Sequence, residues 1–306
     1  MGGAQRTKRQ MRVVLTGASG FIGRATLRAL VARGHDVCAL VRSDALAPGP
    51  NIKRVVGTLA TVPWPEIQAF EPDCCVLGAW IATPGEYLSS PLNDEFQRWT
   101  VEFARQARSI GVKHFTGLGS CIEYQIDPNS QTPLSELRTP LAGRDSPAYV
   151  TAKTLTRKLL REENAGQVCW ARIFQPYGRD EHPLRLCITG ASALAQQKTA
   201  FVSSPDSVRD FTHVDDIARA LVCLVETRAV GDYNVGTGVA TSIREIAELI
   251  AELSGSPATA VVENVPGRPD PYPYVVADST RLRSLGWQPI LTLRQGLASL
   301  VAGLRR

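Results

Sequence analysis

The first half of the chain alternates short apolar runs with amphipathic stretches that have helical spacing. Near-continuous apolar runs separated by helices are typical of a parallel sheet, because the crossover helices bury both of its faces. With right-handed crossovers this pattern predicts a doubly wound α/β fold. In chain order, the predicted strands and helices are residues 11–16, 21–32, 35–41, 52–56, 73–79, 96–110, 114–119 and 168–174.

The second half contains more proline and fewer strand-like runs. Helical spacing recurs at 215–227, 242–254 and 293–304, and a short strand is predicted at 232–235. Thr241 or Ser242 is the expected N-cap of the second of these helices, with Glu245 early inside it. We expect three parts: a loose tail at 1–10, a dinucleotide-binding Rossmann domain at 11–174, and a mainly substrate-binding lobe at 175–306 from which 210–240 returns to the first domain.

Composition excludes several classes of function. The chain has 306 residues, 44% of them hydrophobic and 21% charged, which is ordinary for a globular protein with a large core. The net charge of +5 shows no internal cluster, so we expect no nucleic-acid partner. We also expect no membrane span and no signal peptide, because no apolar run is long enough. Seven irregularly spaced cysteines indicate free thiols in the cytoplasm, and four scattered histidines predict no metal site.

Three glycines follow the first predicted strand, in the segment Thr-Gly-Ala-Ser-Gly-Phe-Ile-Gly at 16–23. Glycine permits a tight turn and lets backbone amides approach a pyrophosphate, and a helix N-terminus favours its negative charge. The spacing of Gly17, Gly20 and Gly23 is wider than the G-x-G-x-x-G pattern. Its position at the first strand–helix junction nevertheless indicates a dinucleotide-binding loop.

The end of the second predicted strand bears on the choice of cofactor. An acidic residue there would bind the ribose 2′-hydroxyl of NAD, but Arg42 and Ser43 follow this strand instead. A guanidinium and a hydroxyl suit a 2′-phosphate, so the sequence favours NADP and leaves NAD as the second choice. Asp44 is the competing residue, because a shift of one or two positions would bring its carboxylate to the ribose.

A tyrosine and a lysine stand four residues apart at Tyr149 and Lys153. On a helix both project from one face, so the ammonium is expected to lower the tyrosine pKa from its usual value of about 10. Such a tyrosine can exchange a proton with an alcohol or a ketone. Ser120 follows the fifth predicted strand, whose carboxyl end should face a ligand cleft. We therefore expect Ser120, Tyr149 and Lys153 to form a catalytic triad.

Together these features resemble the extended short-chain dehydrogenases, in particular the NAD-dependent epimerase/dehydratase family that acts on nucleotide sugars. The resemblance implies a Rossmann sheet with a smaller C-terminal substrate lobe. It also implies a homodimer, for which the helical stretches 96–110 and 148–161 are the candidate interface. Starting at Met11, it is carried by the segments TGASGFIG, GSCIEY, YVTAK, ARIFQPYG, RDFTHVDD, DYNVGTG and VADSTRLRSLGWQP.

The resemblance further implies which residues contact the cofactor. Thr58 stands where the family often has an aspartate against the adenine, so one adenine contact departs from the pattern. The matching positions are Gly17, Ser19, Gly20, Phe21, Ile22, Gly23, Arg42, Ser43, Thr58, Leu59, Leu77, Gly78, Ala79, Tyr149, Lys153, Phe174 and Pro176.

On the substrate side, the resemblance implies a diphosphate ligand at Arg209 and a second phosphate or nucleoside contact at Arg268. Gln175 replaces an asparagine that the family places near the same diphosphate. Arginines suit this role because a guanidinium pairs bidentately with phosphate oxygens. Along the chain, the interval from Arg268 to Asp270 is shorter than the corresponding interval in the family. The full set of expected substrate residues is Trp80, Tyr124, Gln175, Arg185, Arg209 and Arg268.

The residues after Ser120 narrow the reaction. The 4,6-dehydratases of this family carry Asp and Glu directly after the catalytic residue, where this chain has Cys121 and Ile122. Neither side chain can usefully shuttle a proton, which argues against a dehydratase. Glu123 would point to the other side of an extended strand, so we interpret it as structural.

Two enzyme hypotheses remain open. A 4-ketoreductase would use Tyr149 as the proton donor to a nucleotide-linked 4-keto sugar, and Arg42 favours this NADP-dependent reaction. A 4-epimerase would use the same triad with NAD that stays bound. A non-catalytic NADP-sensing protein is opposed by the intact triad. A reductase of small lipophilic ketones is opposed by Arg209 and Arg268.

Overall fold

The computed structural model describes residues 10–138, 140–141, 146–164, 166–257, 259, 261–263 and 270–304. Within these ranges the strands are β1 (Arg12–Thr16), β2 (Asp36–Val41), β3 (Ile52–Val56), β4 (Cys74–Leu77), β5 (His114–Ser120), β6 (Val168–Ile173), β7 (Pro176–Tyr177), β8 (Ala200–Val202), β9 (Val208–Arg209), β10 (Thr212–His213), β11 (Gly231–Val235), β12 (Thr241–Ser242), β13 (Val261–Glu263) and β14 (Tyr274–Val275).

The helices connect these strands and cover them. They are α1 (Phe21–Ala32), α2 (Trp64–Gln68), α3 (Leu92–Ser109), α4 (Ala148–Glu163), α5 (Leu186–Ala195), α6 (Val214–Glu226), α7 (Ile243–Ser254), α8 (Thr280–Ser284) and α9 (Leu293–Leu304), with a 3-10 helix at Cys121–Glu123.

A seven-stranded parallel sheet has the order β11-β6-β5-β4-β1-β2-β3. The chain moves outward from β1 to β3, returns to β4 on the other side of β1, and continues outward to β11. This reversal beside β1 is the switch point at which doubly wound sheets bind ligands, beyond the carboxyl ends of their strands. The predicted doubly wound α/β fold is confirmed.

Both faces of the sheet are buried, as the apolar runs predict. On one face, alternate residues of β1 such as Val13 and Leu15 pack with α1 and α6. On the other, Val14 packs in a cluster with residues of α3 and α4, including Phe103 and Leu160. Because successive side chains of a strand point to opposite faces, one apolar run supplies both layers.

A separate apolar cluster joins α5, α7 and α9 in the second half of the chain. Of the two expected N-caps, Ser242 starts α7 in a capping box: Ser242 Oγ accepts the Glu245 amide at 3.1 Å, and Glu245 Oε2 accepts the Ser242 amide at 2.6 Å. Strand β11 lies at 231–235 and pairs with β6 in the main sheet. The division into two domains at residue 174 stays a prediction.

Two element boundaries differ from the predicted ones for physical reasons. Helix α3 starts at Leu92 rather than at 96, because its first turn contains Asp94 and Glu95, which suit a helix N-terminus but give no apolar signal. The fourth strand ends at Leu77 rather than at 79, because the next two amides turn toward the end of β1.

Candidate active site

The glycine loop forms a close-packed turn between β1 and α1. Gly17 has a φ of +72°, in the left-handed region that favours glycine, and its carbonyl accepts the Gly20 amide at 2.9 Å. A Cβ on Gly23 would lie 2.0 Å from the same carbonyl oxygen. Helix α1 then begins with no side-chain cap and no acidic residue in its first turn. Its first amides are therefore suited to a diphosphate.

The end of β4 closes this loop from the other side. Thr16 Oγ1 accepts the amides of Gly78 and Ala79 at 3.1 and 3.2 Å. A Cβ on Gly17 would lie 2.8 Å from the Ala79 nitrogen, so only glycine permits this approach. The resulting cradle fits a dinucleotide, because it presents backbone amides without a side chain in the way. It brings together nine of the expected cofactor residues, Gly17, Ser19, Gly20, Phe21, Ile22, Gly23, Leu77, Gly78 and Ala79.

Arg42 and Ser43 are exposed directly after β2. Asp44, the competing acid, has its carboxylate 3.6 Å from the Arg54 guanidinium, which also donates to the Asp44 carbonyl at 2.9 Å. Among the described residues, no carboxylate forms an ion pair with Arg42. This arrangement leaves Arg42 as the group best suited to a phosphate at the end of β2.

Thr58 and Leu59 follow β3 in a tight turn. Thr58 Oγ1 lies 2.8 Å from Thr61 Oγ1 and accepts the Thr61 amide at 3.0 Å, so its hydroxyl is used within the turn. Leu59 is half-buried against the apolar layer that contains Phe103. Both residues stand at the carboxyl edge of the sheet, where the adenine contact is expected.

The expected triad comes together at the carboxyl end of β5. Ser120 ends this strand, Tyr149 lies in the first turn of α4, and Lys153 follows one turn later. Lys153 is buried, and its Nζ lies 5.7 Å from the centre of the Tyr149 ring. The same Nζ donates to the Leu118 carbonyl at 2.7 Å. The spacing of four residues therefore places the two side chains on the face of α4 that meets β5.

The expected effect on the tyrosine pKa is not found. Burial raises the pKa of Tyr149 above its ordinary value, Glu123 adds to this, and a hydrogen bond with Ser120 opposes it. Burial also lowers the pKa of Lys153 to about 7, against the effect of Glu123. The prediction considered the ammonium but not desolvation, which disfavours the charged form of both groups. Tyr149 is thus held as a protonated phenol at neutral pH.

Sequence reasoning missed two residues that shape this site. Tyr87 packs edge-on against Tyr149, with ring centres 5.0 Å apart. Asn93 is fully buried: its Nδ2 donates to the Tyr87 carbonyl at 2.7 Å, and its Oδ1 accepts from Trp80 Nε1 at 2.9 Å. No periodic pattern marks these positions, because they belong to the loop after β4 and the start of α3. The available signal was the concentration of aromatic residues in that loop.

The acid after the triad serine is structural, as interpreted from the sequence, although the chain does not stay extended there. Residues 121–123 form a 3-10 helix that turns Glu123 back beneath Ser120, whose amide it accepts at 2.7 Å. The carboxylate is fully buried and also accepts from Trp170 Nε1 at 2.9 Å and Arg172 Nε at 3.2 Å. Cys121 is buried as well, which raises the pKa of its thiol to about 12. Neither group is available as a proton shuttle.

Two expected contacts are corrected. Tyr124 is fully buried, and its hydroxyl donates to Asn234 Oδ1 at 2.7 Å while accepting from Arg172 at 3.0 Å. Its hydroxyl is therefore used within the core and is not exposed to a substrate. Phe174 is fully buried in the apolar cluster that also contains Tyr124, so its side chain does not face a cofactor. Both were assigned by position in a motif, which does not report which way a side chain points.

Gln175 and Pro176 lie just beyond β6. The Gln175 carbonyl accepts the Thr212 amide at 2.9 Å, and its side chain is half-buried. Pro176 is half-buried at the start of β7, which pairs with β10. The expected diphosphate segment around Arg209 therefore lies close to Gln175 through backbone pairing.

The expected substrate arginines differ in their partners. Arg209 forms an ion pair with Asp270 and donates to the Val208 carbonyl at 2.9 Å. Arg185 lies over the Tyr87 ring, 5.6 Å from its centre, and forms no ion pair with a described carboxylate. Arg268 lies outside the described residues. From the sequence, Asp270 had no clear role, because its spacing from Arg268 departs from the family pattern. In the structure its carboxylate is the counter-ion of Arg209, the residue that is expected to bind the substrate diphosphate.

Comparison with known proteins identifies the family. The model of the NAD dependent epimerase/dehydratase family matches residues 13–236. The chain belongs to this family. It is an enzyme of the extended short-chain dehydrogenase type, as the sequence motifs predict.

Relatives within the family carry different names. The chain is 32% identical over 240 residues to "Putative GDP-L-fucose synthase 2" of Oryza sativa subsp. japonica, a match covering 72% of this chain and 65% of that protein. It is 27% identical over 312 residues to the UDP-glucose 4-epimerase of Mycolicibacterium smegmatis, covering 96% and 99%. The solved structure of MoeE5 in complex with UDP-glucuronic acid and NAD superposes with a TM-score of 0.79 at 25% identity, covering 96% and 99%.

The family segment RDFTHVDD proves to be a structural junction. Asp210 is fully buried and accepts the amides of Thr237 and Gly238 at 2.8 Å each. Asp216, also buried, accepts the amides of Ile290 and Leu291 at 3.1 Å each. Two of the segment's carboxylates therefore hold distant backbone segments, and Arg209 beside them forms the ion pair with Asp270.

The described residues contain no group of three or more histidine, cysteine or acidic side chains placed to hold a metal ion. None of their helices has the length and apolar character needed to cross a membrane. All seven cysteines are free thiols, six of them buried.

Proposed function

We propose that the enzyme reduces a 4-keto sugar linked to a nucleoside diphosphate, with Tyr149 as the proton donor. The observation that carries this proposal is the placement of Tyr149 and Lys153 on one face of α4 beside Ser120 at the carboxyl end of β5, with Lys153 Nζ 5.7 Å from the centre of the Tyr149 ring. A phenol beside an ammonium can give its proton to a carbonyl oxygen, because the positive charge stabilises the phenolate that is left behind. A match to a protein named as a GDP-L-fucose synthase is compatible with such a reaction.

NADP(H) is the proposed cofactor, and NAD is the alternative. When bound, the reduced nicotinamide supplies a hydride to the carbonyl carbon. The loop from Gly17 to Gly23 would hold the diphosphate with its amides, and Arg42 and Ser43 would hold a 2′-phosphate. The availability of Arg42 supports NADP, while the NAD in the MoeE5 complex supports the alternative.

The chain's own residues then have distinct tasks. The Ser120 hydroxyl donates a hydrogen bond to the carbonyl oxygen, and the Tyr149 hydroxyl gives that oxygen its proton. The Lys153 ammonium stabilises the negative charge that Tyr149 gains when its proton leaves. Arg209 and Gln175 bind the substrate diphosphate, with Arg185 and Arg268 as further contacts. Trp80 and Tyr87 exclude water from the phenol.

A 4-epimerase is the second candidate. Its support is the nearly end-to-end match to a UDP-glucose 4-epimerase, which contrasts with the partial match to the GDP-L-fucose synthase relative. The same triad would serve, because an epimerase removes and returns a proton at the same oxygen. The third hypothesis from the sequence, a non-catalytic NADP-sensing protein, is opposed by the family match and by the intact triad.

The test is an assay of the purified protein with NADPH and a panel of UDP-, dTDP-, CDP- and GDP-linked 4-keto-6-deoxy sugars. We expect oxidation of NADPH that depends on one of these substrates. Conversion of UDP-glucose without added cofactor, by protein that retains NAD after purification, would instead establish the epimerase.

The matched variant is Tyr149→Phe, which removes one oxygen atom from the site. We expect turnover to fall by roughly 10²–10⁴-fold, the usual contribution of a general acid. NADPH affinity, measured by fluorescence, should stay within about twofold. Unchanged turnover in this variant would contradict a catalytic role for Tyr149, and wild-type protein that binds NADPH without any turnover would favour the sensor.

We further propose that the enzyme forms a homodimer in the cytoplasm. Helices α3 and α4 pack side by side, and Leu92 and Leu155 on them are 43% and 41% exposed. The set of unpaired cysteines suits a reducing compartment. Light scattering of wild-type protein and of Leu155→Glu tests the dimer. A wild-type mass of one chain would contradict it.

A further inference from the structure

We propose that Trp80 is a positioning residue for Lys153. Its indole ring holds the lysine ammonium at the triad and favours the charged form of Lys153. This role rests on the proposed function at one point only: Lys153 must be charged to assist Tyr149. The sequence suggested instead that Trp80 contacts the substrate.

The geometry around the ammonium singles out this ring. Lys153 Nζ lies 3.8 Å from the centre of the Trp80 ring, against 5.7 and 5.8 Å for the rings of Tyr149 and Trp170. A cation within about 6 Å of an aromatic ring is attracted by its quadrupole, most strongly for tryptophan and most strongly when water is excluded. Lys153 is only 4% exposed, so the attraction acts with little screening.

Trp80 is itself fixed from three sides. Its Nε1 donates to Asn93 Oδ1, and Asn93 is held in turn by the carbonyls of Tyr87 and Ser90. Its ring packs against Phe96 with centres 5.8 Å apart, and it meets Tyr149 edge-on at 6.4 Å. Because the indole cannot rotate away, it defines where the ammonium lies between the loop after β4 and helix α4.

Few other charges act on Lys153. The titratable groups facing it are Tyr149 on its own helix and Glu123 after β5, whereas β5 itself contributes the neutral Leu118 carbonyl and β6 the neutral Trp170. Glu123 favours the ammonium, but it is shared with Arg172. Burial opposes the charge and brings the pKa of Lys153 to about 7. An aromatic ring that attracts the ammonium therefore acts in the same direction as Glu123 and against the effect of burial.

The pKa of Lys153 can be measured directly by NMR, in protein labelled with carbon-13 at lysine Cε. Lys153 is one of six lysines, so its resonance is assigned by its loss in Lys153→Met. Removing the ring in Trp80→Leu should lower the midpoint by about one pH unit, because desolvated cation–π contacts are worth about one pKa unit. Trp80→Phe keeps a weaker ring and should give a smaller shift in the same direction.

The matched control is Trp64→Leu, which removes an indole packed on Phe103 away from the triad. It should leave the Lys153 titration unchanged. An unchanged midpoint in Trp80→Leu, or equal shifts in Trp80→Leu and Trp64→Leu, would overturn the proposal. If Trp80→Leu does not fold, the Lys153 midpoints of the wild type and Trp80→Phe are compared instead. A higher midpoint in the wild type would support the proposal, and equal midpoints would overturn it.

This measurement needs neither substrate nor cofactor. A shifted midpoint in protein that turns over none of the 4-keto sugars would support the role of Trp80 while contradicting the proposed reaction. Where turnover is found, the alkaline limb of kcat/KM against pH should move to lower pH in Trp80→Leu, because kcat/KM reports the groups of the free enzyme. An unmoved limb together with a shifted midpoint would contradict a role of Lys153 ionisation in turnover, while the midpoint would still support the role of Trp80.

Discussion

The cofactor half and the substrate half of the cleft satisfy their polar groups in different ways. Around Gly17, turns and strand ends are joined by backbone amides, carbonyls and one threonine hydroxyl. Around Arg209, charged side chains from distant segments pair with one another. Backbone groups do not titrate and are weakly affected by salt, whereas an ion pair responds to both. The first half therefore depends on backbone geometry, whereas in the second half a charged ligand can compete for the partners of the ion pair.

The same contrast explains how well each half was predicted. A glycine cradle is encoded within eight consecutive residues, so a short motif is enough to recognise it. Arg209 and Asp270 are 61 residues apart, and nothing local announces their pairing. The four predictions that follow test whether this difference in construction is also a difference in function.

The largest effect is expected from Gly23→Ala in the cofactor half. A Cβ there would lie 2.0 Å from the Gly17 carbonyl oxygen, so the loop must move and its amides lose their alignment. We expect NADPH affinity to fall by about 100-fold or more, since several charge-assisted hydrogen bonds are lost together. Isothermal titration calorimetry measures it.

Its control is Gly190→Ala in α5, where a Cβ would meet only Ile250 Cδ1 at 3.9 Å. That variant should bind NADPH as the wild type does. Normal binding by folded Gly23→Ala would show that the cradle is not the diphosphate site.

In the substrate half, Arg209→Gln should raise the KM for the nucleotide-sugar substrate by roughly 10–100-fold, the usual loss when one charged hydrogen-bond partner is removed. NADPH affinity should not change. Asp270→Asn removes the counter-ion but leaves Arg209, so KM should stay the same or fall. If both variants raise KM equally, the Arg209–Asp270 pair has a structural role and does not contact the diphosphate.

Arg42→Ala tests whether a side chain, rather than the backbone, recognises the 2′-phosphate at the edge of the cofactor half. NADPH affinity should weaken by about tenfold, with NADH affinity nearly unchanged, because only NADPH carries the 2′-phosphate. Arg294→Gln, which removes a remote surface cation paired with Glu252, is the control. Equal losses for NADPH and NADH would contradict the proposed preference.

The smallest effect concerns the pH dependence of stability in the substrate half. Glu181 is buried and accepts the Ile188 amide at 2.7 Å, and burial raises its pKa to about 7. Because the folded chain binds this proton more tightly than the unfolded chain, its contribution is full below the ordinary glutamate pKa of about 4.3 and is lost as pH rises through about 7.

Glu181→Gln stays neutral, so its melting temperature should fall less than that of the wild type between pH 5 and 8. Thermal unfolding followed by circular dichroism at several pH values gives the comparison. Glu252→Gln, on an exposed helix face, should show the wild-type slope. Parallel curves for wild type and Glu181→Gln would mean that Glu181 does not titrate in this range.

The fold and the centre of the site were predictable for specific reasons. Alternating burial on β1 and the spacing of α1 are local consequences of strand and helix geometry. Tyr149 and Lys153 share a helix face for the same reason. The failures were also specific: Tyr124 and Phe174 matched a motif but point into the core, and the Tyr149 pKa follows burial rather than its neighbour on the helix.

The order of strands and helices, the glycine turn and the shared helix face of Tyr149 and Lys153 could be predicted from the sequence, because each depends on residues close together in the chain and on fixed backbone periodicities. Three contacts appear only in the folded chain: Glu123 turns beneath Ser120 to meet Arg172, Asp270 pairs with Arg209, and the Trp80 ring lies over Lys153. These contacts join distant segments, and burial sets the strength of their charges. Neither the approach of two segments nor the exclusion of water can be read from residues that are neighbours only along the chain.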